Sequence, residues 1–180
     1  MLFDSSLVLE SIYTIMKSLL LFAFTLILFD AVCQSFPDVK ILRVIDGDTY
    51  VVSMNGVSYH CRLVNVDAPE KDQPFGLNVR DSVSNLILGK DCQVTIVGFD
   101  VYNRALCSVS VNHISLDSLL LAKGWAWYTP SMLAFKSQLR NIEAYARLNN
   151  IGLWSCAAAI PPWIWRSMNL KDKRLYNLCR

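Results

Sequence analysis

The dipeptide Asn55-Gly56 constrains the fold of this chain more than any other local feature. Asn-Gly between apolar stretches is the strongest short hairpin signal, because a tight type I′ turn needs positive φ at both positions. It predicts antiparallel strands at residues 49–54 and 57–66. A preceding apolar stretch, residues 39–46, predicts another strand, so these three strands form a meander.

The segments that follow alternate between helix and strand patterns. In order they predict a helix, two strands and two helices, at residues 77–88, 92–96, 104–111, 115–123 and 135–149. In the first helix apolar residues recur at helical spacing from Val79, and Gly89 follows its last turn. Five strands with a helix between the third and fourth is the order of an OB-fold. We therefore predict an α+β fold, a five-stranded OB-fold β-barrel with about three α-helices, over residues 36–155.

The C-terminal segment, residues 156–180, lies outside that barrel pattern. Two prolines precede a pair of tryptophans, Trp163 and Trp165. Aromatic rings of this size bury a large apolar surface. We expect the segment to pack back across the domain, with both rings as anchors.

The amino terminus carries a short apolar block, residues 19–29, preceded by Lys17 and closed by Asp30. A membrane span needs about 20 apolar residues, so the block fits the apolar region of a secretory signal peptide better. We expect residues 1–33 to be a signal peptide of a secreted or periplasmic protein. Met16 is an alternative start, since a peptide that begins Met16-Lys17 would be a more ordinary signal peptide. The alternative is an uncleaved helix, residues 19–29, that anchors the protein to a membrane. A membrane-tethered structural protein is a separate alternative, which also requires this block to be retained.

The charge balance is not that of a tight DNA-binding protein. Without residues 1–33 the chain has 16 Lys and Arg against 12 Asp and Glu, a formal charge of +4. That charge is mildly basic and lacks a continuous basic stripe. It suits an enzyme that contacts a polyanion briefly.

The cysteine pattern argues against a zinc site. The six cysteines include no Cys-x-x-Cys pair, and the chain has two histidines. Cys61, Cys92 and Cys107 fall in predicted strands and are expected to be small buried side chains. In an oxidising compartment Cys156 and Cys179 could close a loop in the C-terminal segment, although the sequence does not fix the pairing.

Acidic and basic side chains occur where predicted strands begin or end. Residues 62–70, Arg-Leu-Val-Asn-Val-Asp-Ala-Pro-Glu, predict an alternating strand that places Leu63 and Asn65 opposite Arg62 and ends in Asp67 and Glu70. Pro69 stiffens the connection between these two acids. The acid Asp48 belongs to an Asp-Gly-Asp turn, in which Asp46 is interpreted as a turn residue. A later turn, residues 100–104, places Arg104 at the start of a strand.

These residue types are suited to phosphodiester chemistry. Asp48 and Asp67 come from neighbouring strands and can share one hard cation, and an oxygen-only set without His or Cys favours Ca²⁺. Glu70 is the candidate that orients or deprotonates a water, unless it only caps the following helix. Arg62 and Arg104 carry guanidinium groups whose geometry matches phosphate oxygens.

The segments at residues 45–49, 62–63, 66–70 and 100–104 resemble the staphylococcal nuclease (thermonuclease) family, over about residues 38–155. The resemblance implies that the backbone carbonyl of Ala68 is a third Ca²⁺ ligand. The family usually has Thr there, but a main-chain carbonyl survives the change. Tyr102 matches a tyrosine that contacts the phosphate end of nucleotides. Tyr128 lies in a region where the family has tyrosines that stack on nucleotides.

The resemblance implies a Ca²⁺-dependent nuclease that hydrolyses DNA and RNA with low sequence specificity and leaves 3′-phosphate ends. Single strands are the expected preferred substrate, and a monomer without an obligate protein partner is the expected state. The alternative is a non-catalytic OB-fold module that binds single-stranded nucleic acid. The five ionic residues Asp48, Arg62, Asp67, Glu70 and Arg104 all stand at their motif positions, which favours the enzyme.

Overall fold

The computed structural model describes residue 10 and residues 12–21, 34–132 and 136–176. The chain divides into two compact units, Met1–Val32 and Cys33–Arg180. Residues 12–21 of the first unit are helical. Within the described residues, no helix is both long enough and apolar enough to cross a membrane. Most of the apolar block and the expected cleavage site after Cys33 lie outside the described residues, so the signal peptide and its membrane-anchor alternative stay predictions.

The second unit is built on a closed barrel. Its strands are β1 (Gln34–Val44), β2 (Thr49–Met54), β3 (Val57–Leu63), β4 (Val66–Asp67), β5 (Asp91–Phe99), β6 (Ala105–Val111), β7 (Ile114–Ser115) and β8 (Trp127–Tyr128). The main sheet has the order β3-β2-β1-β5-β6-β7, and β3 also pairs in parallel with β6. This last pairing closes a barrel of β1, β2, β3, β5 and β6. The predicted five-stranded OB-fold barrel is confirmed.

The hairpin between β2 and β3 has the expected geometry. Asn55 has a φ of 50° and Gly56 a φ of 79°, and Met54 pairs with Val57 across the turn. Strand β2 has the predicted bounds. Because β3 ends beside β6, the hairpin also brings Arg62 to the mouth of the barrel, opposite Thr49 and Leu106.

The helices expected in the domain are present. They are α1 (Gly76–Ile87), α2 (Leu116–Ala122) and α3 (Gln138–Leu148), followed by a 3₁₀ turn (Gly152–Ser155) and two short helices, α4 (Pro162–Ser167) and α5 (Leu170–Leu175). Each of the first three lies within a few residues of its predicted range, and the expected start of α3 at residue 135 lies outside the described residues. Helix α1 covers the barrel with Val79, Val83 and Ile87, which are buried.

The cysteines of the barrel are buried free thiols, as predicted. Cys61, Cys92 and Cys107 lie within the hydrophobic core. A hydrogen bond with Cys61, and then burial, raises the pKa of the Cys107 thiol well above its ordinary value, so it is inert at neutral pH. Cys156 is disulfide-bonded. Its expected partner Cys179 lies outside the described residues.

The prediction of one continuous alternating strand over residues 57–66 is wrong. Strand β3 ends at Leu63, and Val64, Asn65 and Val66 are all buried instead of alternating between two faces. The side-chain amide nitrogen of Asn65 donates a hydrogen bond to the buried carboxylate of Asp117. The backbone carbonyl of Asn65 accepts one from the backbone amide of Thr129. The chain therefore leaves the barrel at this point, and β4 pairs with β8 in a separate two-stranded sheet.

The C-terminal segment is held against the loop that follows Glu70. Trp165 is 2% exposed, and its indole nitrogen donates a hydrogen bond to Asp72 Oδ1 at 3.0 Å. Lys173 forms an ion pair with Asp72 at 2.9 Å and lies over the Trp165 ring. Trp163, in contrast, is 44% exposed. One of the two tryptophans is therefore an anchor, because α4 turns only one of them toward the domain.

Candidate active site

An open cleft of about 480 Å³ lies at the mouth of the barrel. It is lined by two acids, three arginines and a tyrosine: Asp46, Glu70, Arg62, Arg104, Arg166 and Tyr102. Asp48 and Asp67 lie directly behind this lining, since both bind the Arg62 guanidinium. The structure thus brings together seven of the eight predicted site residues, if Ala68 is counted through its contact with Asp48.

Asp48 is a buried carboxylate, 2% exposed, in the turn directly before β2. Its Oδ2 accepts a hydrogen bond from the Ala68 amide at 2.7 Å, and its Oδ1 accepts from Thr49 Oγ1 at 2.9 Å and Arg62 Nη1 at 3.3 Å. Burial raises the pKa of Asp48 to about 7, although the charge of Arg62 opposes this shift. The negative charge of Asp48 is therefore only partly compensated by the protein.

Gly47 allows Asp48 and Ala68 to meet. A Cβ atom at position 47 would lie 2.6 Å from the Ala68 Cβ and 2.7 Å from the Val79 Cγ1. Those distances are shorter than van der Waals contact, so a larger residue would push the two chain segments apart. The hydrogen bond between Ala68 and Asp48 depends on this close approach.

Arg62 joins the two buried acids. Its Nη2 lies 2.8 Å from Asp67 Oδ1, while its Nη1 binds Asp48. Burial lowers the pKa of the Arg62 guanidinium, but the charges of Asp48 and Asp67 together raise it more, so the net shift is upward. Arg62 therefore stays charged, with both acids as its partners.

The position of Glu70 is fixed by hydrogen bonds between its backbone and Gln73. Its amide donates a hydrogen bond to the Gln73 side chain, and its carbonyl accepts one from the Gln73 amide at 2.9 Å. Gly76 passes so close that a Cβ atom there would overlap the Glu70 carbonyl oxygen. The side chain of Glu70 faces the cleft, where water can reach it.

Arg104 and Tyr102 form another part of the cleft lining. Asp100 holds Arg104 by accepting from its Nε at 2.8 Å and its Nη2 at 2.7 Å, and it also accepts from the backbone amides of Tyr102 and Arg104. The Arg104 guanidinium lies 5.6 Å from the centre of the Tyr102 ring. Because Tyr102 is 78% exposed, its ring is accessible to a ligand in the cleft.

The structure places Tyr128 and Asp46 differently from what the sequence predicts. Tyr128 does not line this cleft: its amide binds Glu143, and its ring lies in a separate depression with Ser137 and Arg140. Its role in substrate binding stays a prediction without support from the geometry. Asp46 accepts a hydrogen bond from the Asp48 amide, as a turn residue does, but its side chain also lines the cleft.

Arg166 is the site residue that sequence reasoning missed. It extends from α4 and contacts Asp67 through Nη2–Oδ2 at 2.6 Å and Nη1–Oδ1 at 3.2 Å. Its Nη1 also lies 2.7 Å from Glu70 Oε1. The hydrogen bond with Asp67 is the main reason that the pKa of Arg166 is raised. The one sequence feature that could have indicated Arg166 is its position directly after Trp165, a tryptophan expected to anchor the C-terminal segment.

The residues around Asp48 fit a hard divalent cation. Within the described part of the chain, no cluster of three or more His, Cys, Asp or Glu side chains could hold a metal ion. Asp48 and Asp67 are nonetheless bridged by one guanidinium, and the main chain of Ala68 lies against Asp48. Carboxylate oxygens are ligands that Ca²⁺ prefers, so Asp48 and Asp67 fit such a cation. The charge of the buried Asp48 carboxylate is only partly balanced by Arg62, so a cation beside it would be stabilised electrostatically.

Comparison with known proteins identifies the family. The family model described as staphylococcal nuclease homologue matches residues 60–156, which include the end of β3 and all of β4, β5 and β6, together with Arg62, Asp67, Glu70 and Arg104. The chain belongs to the staphylococcal nuclease family. An uncharacterized endonuclease of Escherichia coli is 36% identical over 128 residues, which cover 71% of this chain and 83% of the relative.

Two further relatives carry nuclease names. Micrococcal nuclease of Shigella flexneri is 31% identical over 137 residues, covering 71% of this chain and 79% of the relative. Staphylococcal-like nuclease CAN1 of Arabidopsis thaliana is 30% identical over 118 residues, covering 64% of this chain and 34% of the relative. The protein is therefore a nuclease, a hydrolase whose substrate is nucleic acid. This nuclease has its cleft at the end of the barrel where β3, β4 and the turn after β5 meet.

Proposed function

We propose that this nuclease is Ca²⁺-dependent and hydrolyses both DNA and RNA with low sequence specificity, leaving 3′-phosphate ends. The observation that carries the proposal is the convergence of Asp48 and Asp67 on the Arg62 guanidinium, at 3.3 and 2.8 Å. A cation site and a phosphate-binding group are thereby adjacent, as hydrolysis of an anionic ester requires. Ca²⁺, when bound, supplies positive charge beside the phosphate, and Asp48, Asp67 and the Ala68 carbonyl are the residues that would hold it.

The protein side chains supply the remaining steps. Glu70 accepts a proton from a water in the cleft, and that water attacks the phosphorus. Negative charge builds on the phosphoryl oxygens of the pentacoordinate transition state, where the Arg62 and Arg104 guanidinium groups stabilise it. The P–O5′ bond breaks, the 5′ oxygen takes a proton from water in the open cleft, the proton on Glu70 returns to solvent, and the phosphate stays on the 3′ side.

The exposed wall of the cleft accounts for low sequence specificity. Tyr102 offers a ring face on which any unpaired base can stack, and such stacking is worth about 1 to 3 kcal/mol per base. A paired base is not free to stack in this way, so single strands are the preferred substrate. We also propose that the enzyme acts as a monomer.

The cellular location is part of the same proposal. The apolar block at residues 19–29 supports export as a secreted or periplasmic enzyme, with retention on the membrane through that block as the alternative. The disulfide at Cys156 also supports export, because disulfides persist in oxidising compartments.

Analysis of the cleavage products tests the proposed reaction. The full-length chain, supplied with Ca²⁺, is given single-stranded DNA and RNA of the same sequence, and the new ends are identified by mass spectrometry. We expect cleavage of both strands at many positions, with 3′-phosphate and 5′-hydroxyl ends. Products with 5′-phosphate ends, or cleavage of only one of the two nucleic acids, would contradict the proposal.

A further inference from the structure

The C-terminal segment places a third arginine in the cleft and holds it there. Trp165, the residue before Arg166, is buried and hydrogen-bonded to Asp72, and Pro162 at the start of α4 is buried as well. The Gln73 side chain, which also contacts Glu70, donates a hydrogen bond to the Ile160 carbonyl. The loop after Glu70 and the helix that carries Arg166 therefore form one connected unit.

Arg166 and Arg62 converge on a single atom. Arg62 Nη2 lies 2.8 Å and Arg166 Nη1 lies 3.2 Å from Oδ1 of Asp67, so these two nitrogens are within about 6 Å of each other. Two guanidinium groups this close repel each other unless an anion lies between them. The positive charge of Arg166 indeed acts to lower the pKa of Arg62. The pair is thus an anion-binding arrangement, with Asp67 as the anion.

A divalent cation would change that arrangement. A cation held by Asp48 and Asp67 takes up the charge of both carboxylates. Among the described residues, Arg62 then loses both of its partners and Arg166 keeps only Glu70. The anion that can replace Asp67 is a substrate phosphate, whose oxygens can bind two guanidinium groups together. Arg166 is 44% exposed and lines the cleft, so a phosphate can reach it without unfolding of α4.

We propose that Arg166 is a phosphate-binding residue of this nuclease, which transfers its hydrogen bonds from Asp67 to a substrate phosphate when the cation binds. The inference rests on the proposed Ca²⁺-dependent function. It assigns a role in substrate binding to the C-terminal segment, beyond residues 60–156 that the family model matches. It also predicts that cation and phosphate bind cooperatively, since each removes a competing partner of the other.

Binding measurements on variants test this role. The probe is a nucleoside 3′,5′-bisphosphate, which carries phosphate but no phosphodiester to cut, titrated by calorimetry into the full-length chain with and without saturating Ca²⁺. The variants are Arg166→Ala and Arg166→Lys. Arg174→Ala is the matched control, because Arg174 is an exposed arginine of α5 outside the cleft. Thermal unfolding of each variant establishes that it is folded.

The expected result separates phosphate binding from a structural ion pair. With Ca²⁺ present, Arg166→Ala weakens bisphosphate binding at least about tenfold, the scale of one lost hydrogen bond to a charged group. Arg166→Lys shows a smaller loss, and Arg174→Ala stays within twofold of the parent. Ca²⁺ alone binds Arg166→Ala at least as tightly as the parent, because Asp67 and Glu70 lose a competing cation. Unchanged bisphosphate affinity in Arg166→Ala would overturn the inference.

Two outcomes distinguish this inference from the proposed function. In the first outcome, Arg166→Ala binds Ca²⁺ more tightly than the parent and cuts DNA faster, while its bisphosphate affinity is unchanged. Arg166 then only blocks the cation site, so the inference fails and the nuclease proposal stands. If the parent binds both ligands with the predicted dependence on Arg166 but cuts nothing, the proposed reaction fails and the phosphate-binding role of Arg166 stands.

Discussion

Arg166 forms a bidentate ion pair with Asp67, with Nη2 2.6 Å from Oδ2 and Nη1 3.2 Å from Oδ1. The contact joins the last part of the chain to an acid of the barrel. Because Arg62 contacts the same carboxylate from β3, Asp67 lies between two guanidinium groups. The charge in this cleft is therefore arranged as a network, and replacing one member alters the electrostatic balance of the others.

Replacing Glu70 with Gln should reduce turnover by about 10²-fold or more, the usual contribution of a general base. The amide keeps the size of the side chain and can still accept a hydrogen bond from Arg166, so nucleotide binding should change little. Steady-state cleavage of single-stranded DNA gives kcat, and titration with a nucleoside bisphosphate gives the affinity. Activity within threefold of the parent would remove Glu70 from the mechanism.

At pH 8, above the Asp48 pKa of about 7, Asp48 is ionised, so Arg62→Ala should lower the free energy of unfolding by about 3 kcal/mol because it leaves this buried charge uncompensated. Arg62 is the one cation that pairs with Asp48 among the described residues. The double variant with Asp48→Asn removes the orphaned charge and should recover part of that loss. Urea unfolding of the two single variants and the double variant measures the coupling; strictly additive losses would contradict the pairing.

The stability of the protein should depend on the titration of Asp48. Its pKa is raised from an ordinary value near 3.8 to about 7, so the folded state holds a proton that the unfolded state has lost between these two values. This group therefore favours folding most below about pH 4, loses that contribution as the pH rises to about 7, and adds nothing further above it.

Urea unfolding of the parent and Asp48→Asn, in a chelating buffer from pH 4 to pH 8, isolates this contribution. Relative to the variant, the parent should lose more than about 1 kcal/mol across the range, since one pKa unit corresponds to about 1.4 kcal/mol. Parallel stability curves for the two proteins would show that the Asp48 pKa is not raised.

The sequence predicted the barrel because its signals are local. The Asn55-Gly56 turn and the alternating strands specify hairpins that need no distant partner to be recognised. It also located Asp48, Arg62, Glu70 and Arg104, which each lie at a strand end or a turn. The break after Leu63 was missed because it depends on Asn65 meeting Asp117, a contact between residues far apart in the chain.

Arg166 was missed for a related reason. Its position in the cleft depends on which face of α4 packs on the domain. From the sequence, that face could carry Trp163 or Trp165, and in the structure it carries Trp165. The acceptor that selects Trp165 is Asp72, which lies more than 90 residues earlier in the chain, so the sequence around the two tryptophans does not identify it. Contacts made across the whole domain decided the position of this arginine, so no local pattern revealed it.

Trp165→Ala should detach the C-terminal segment from the cleft. Truncation of a buried tryptophan typically costs about 3 to 5 kcal/mol, and here it also removes the hydrogen bond to Asp72. Nucleotide affinity should fall together with stability, because Arg166 loses its anchor. Trp163→Ala is the control from the same helix, and it should change both quantities little. Equal effects of the two substitutions, measured by urea unfolding and nucleotide titration, would show that α4 does not position Arg166.

Dependence of cleavage on Ca²⁺ tests the central claim most directly. The full-length chain is incubated with single-stranded DNA in Ca²⁺, then with excess chelator, and then with Ca²⁺ restored. We predict that cleavage stops on chelation and returns with Ca²⁺, and that Asp48→Asn abolishes the recovery because it removes a ligand from the cation site. Cleavage that continues at the same rate in chelator would contradict the account of this site.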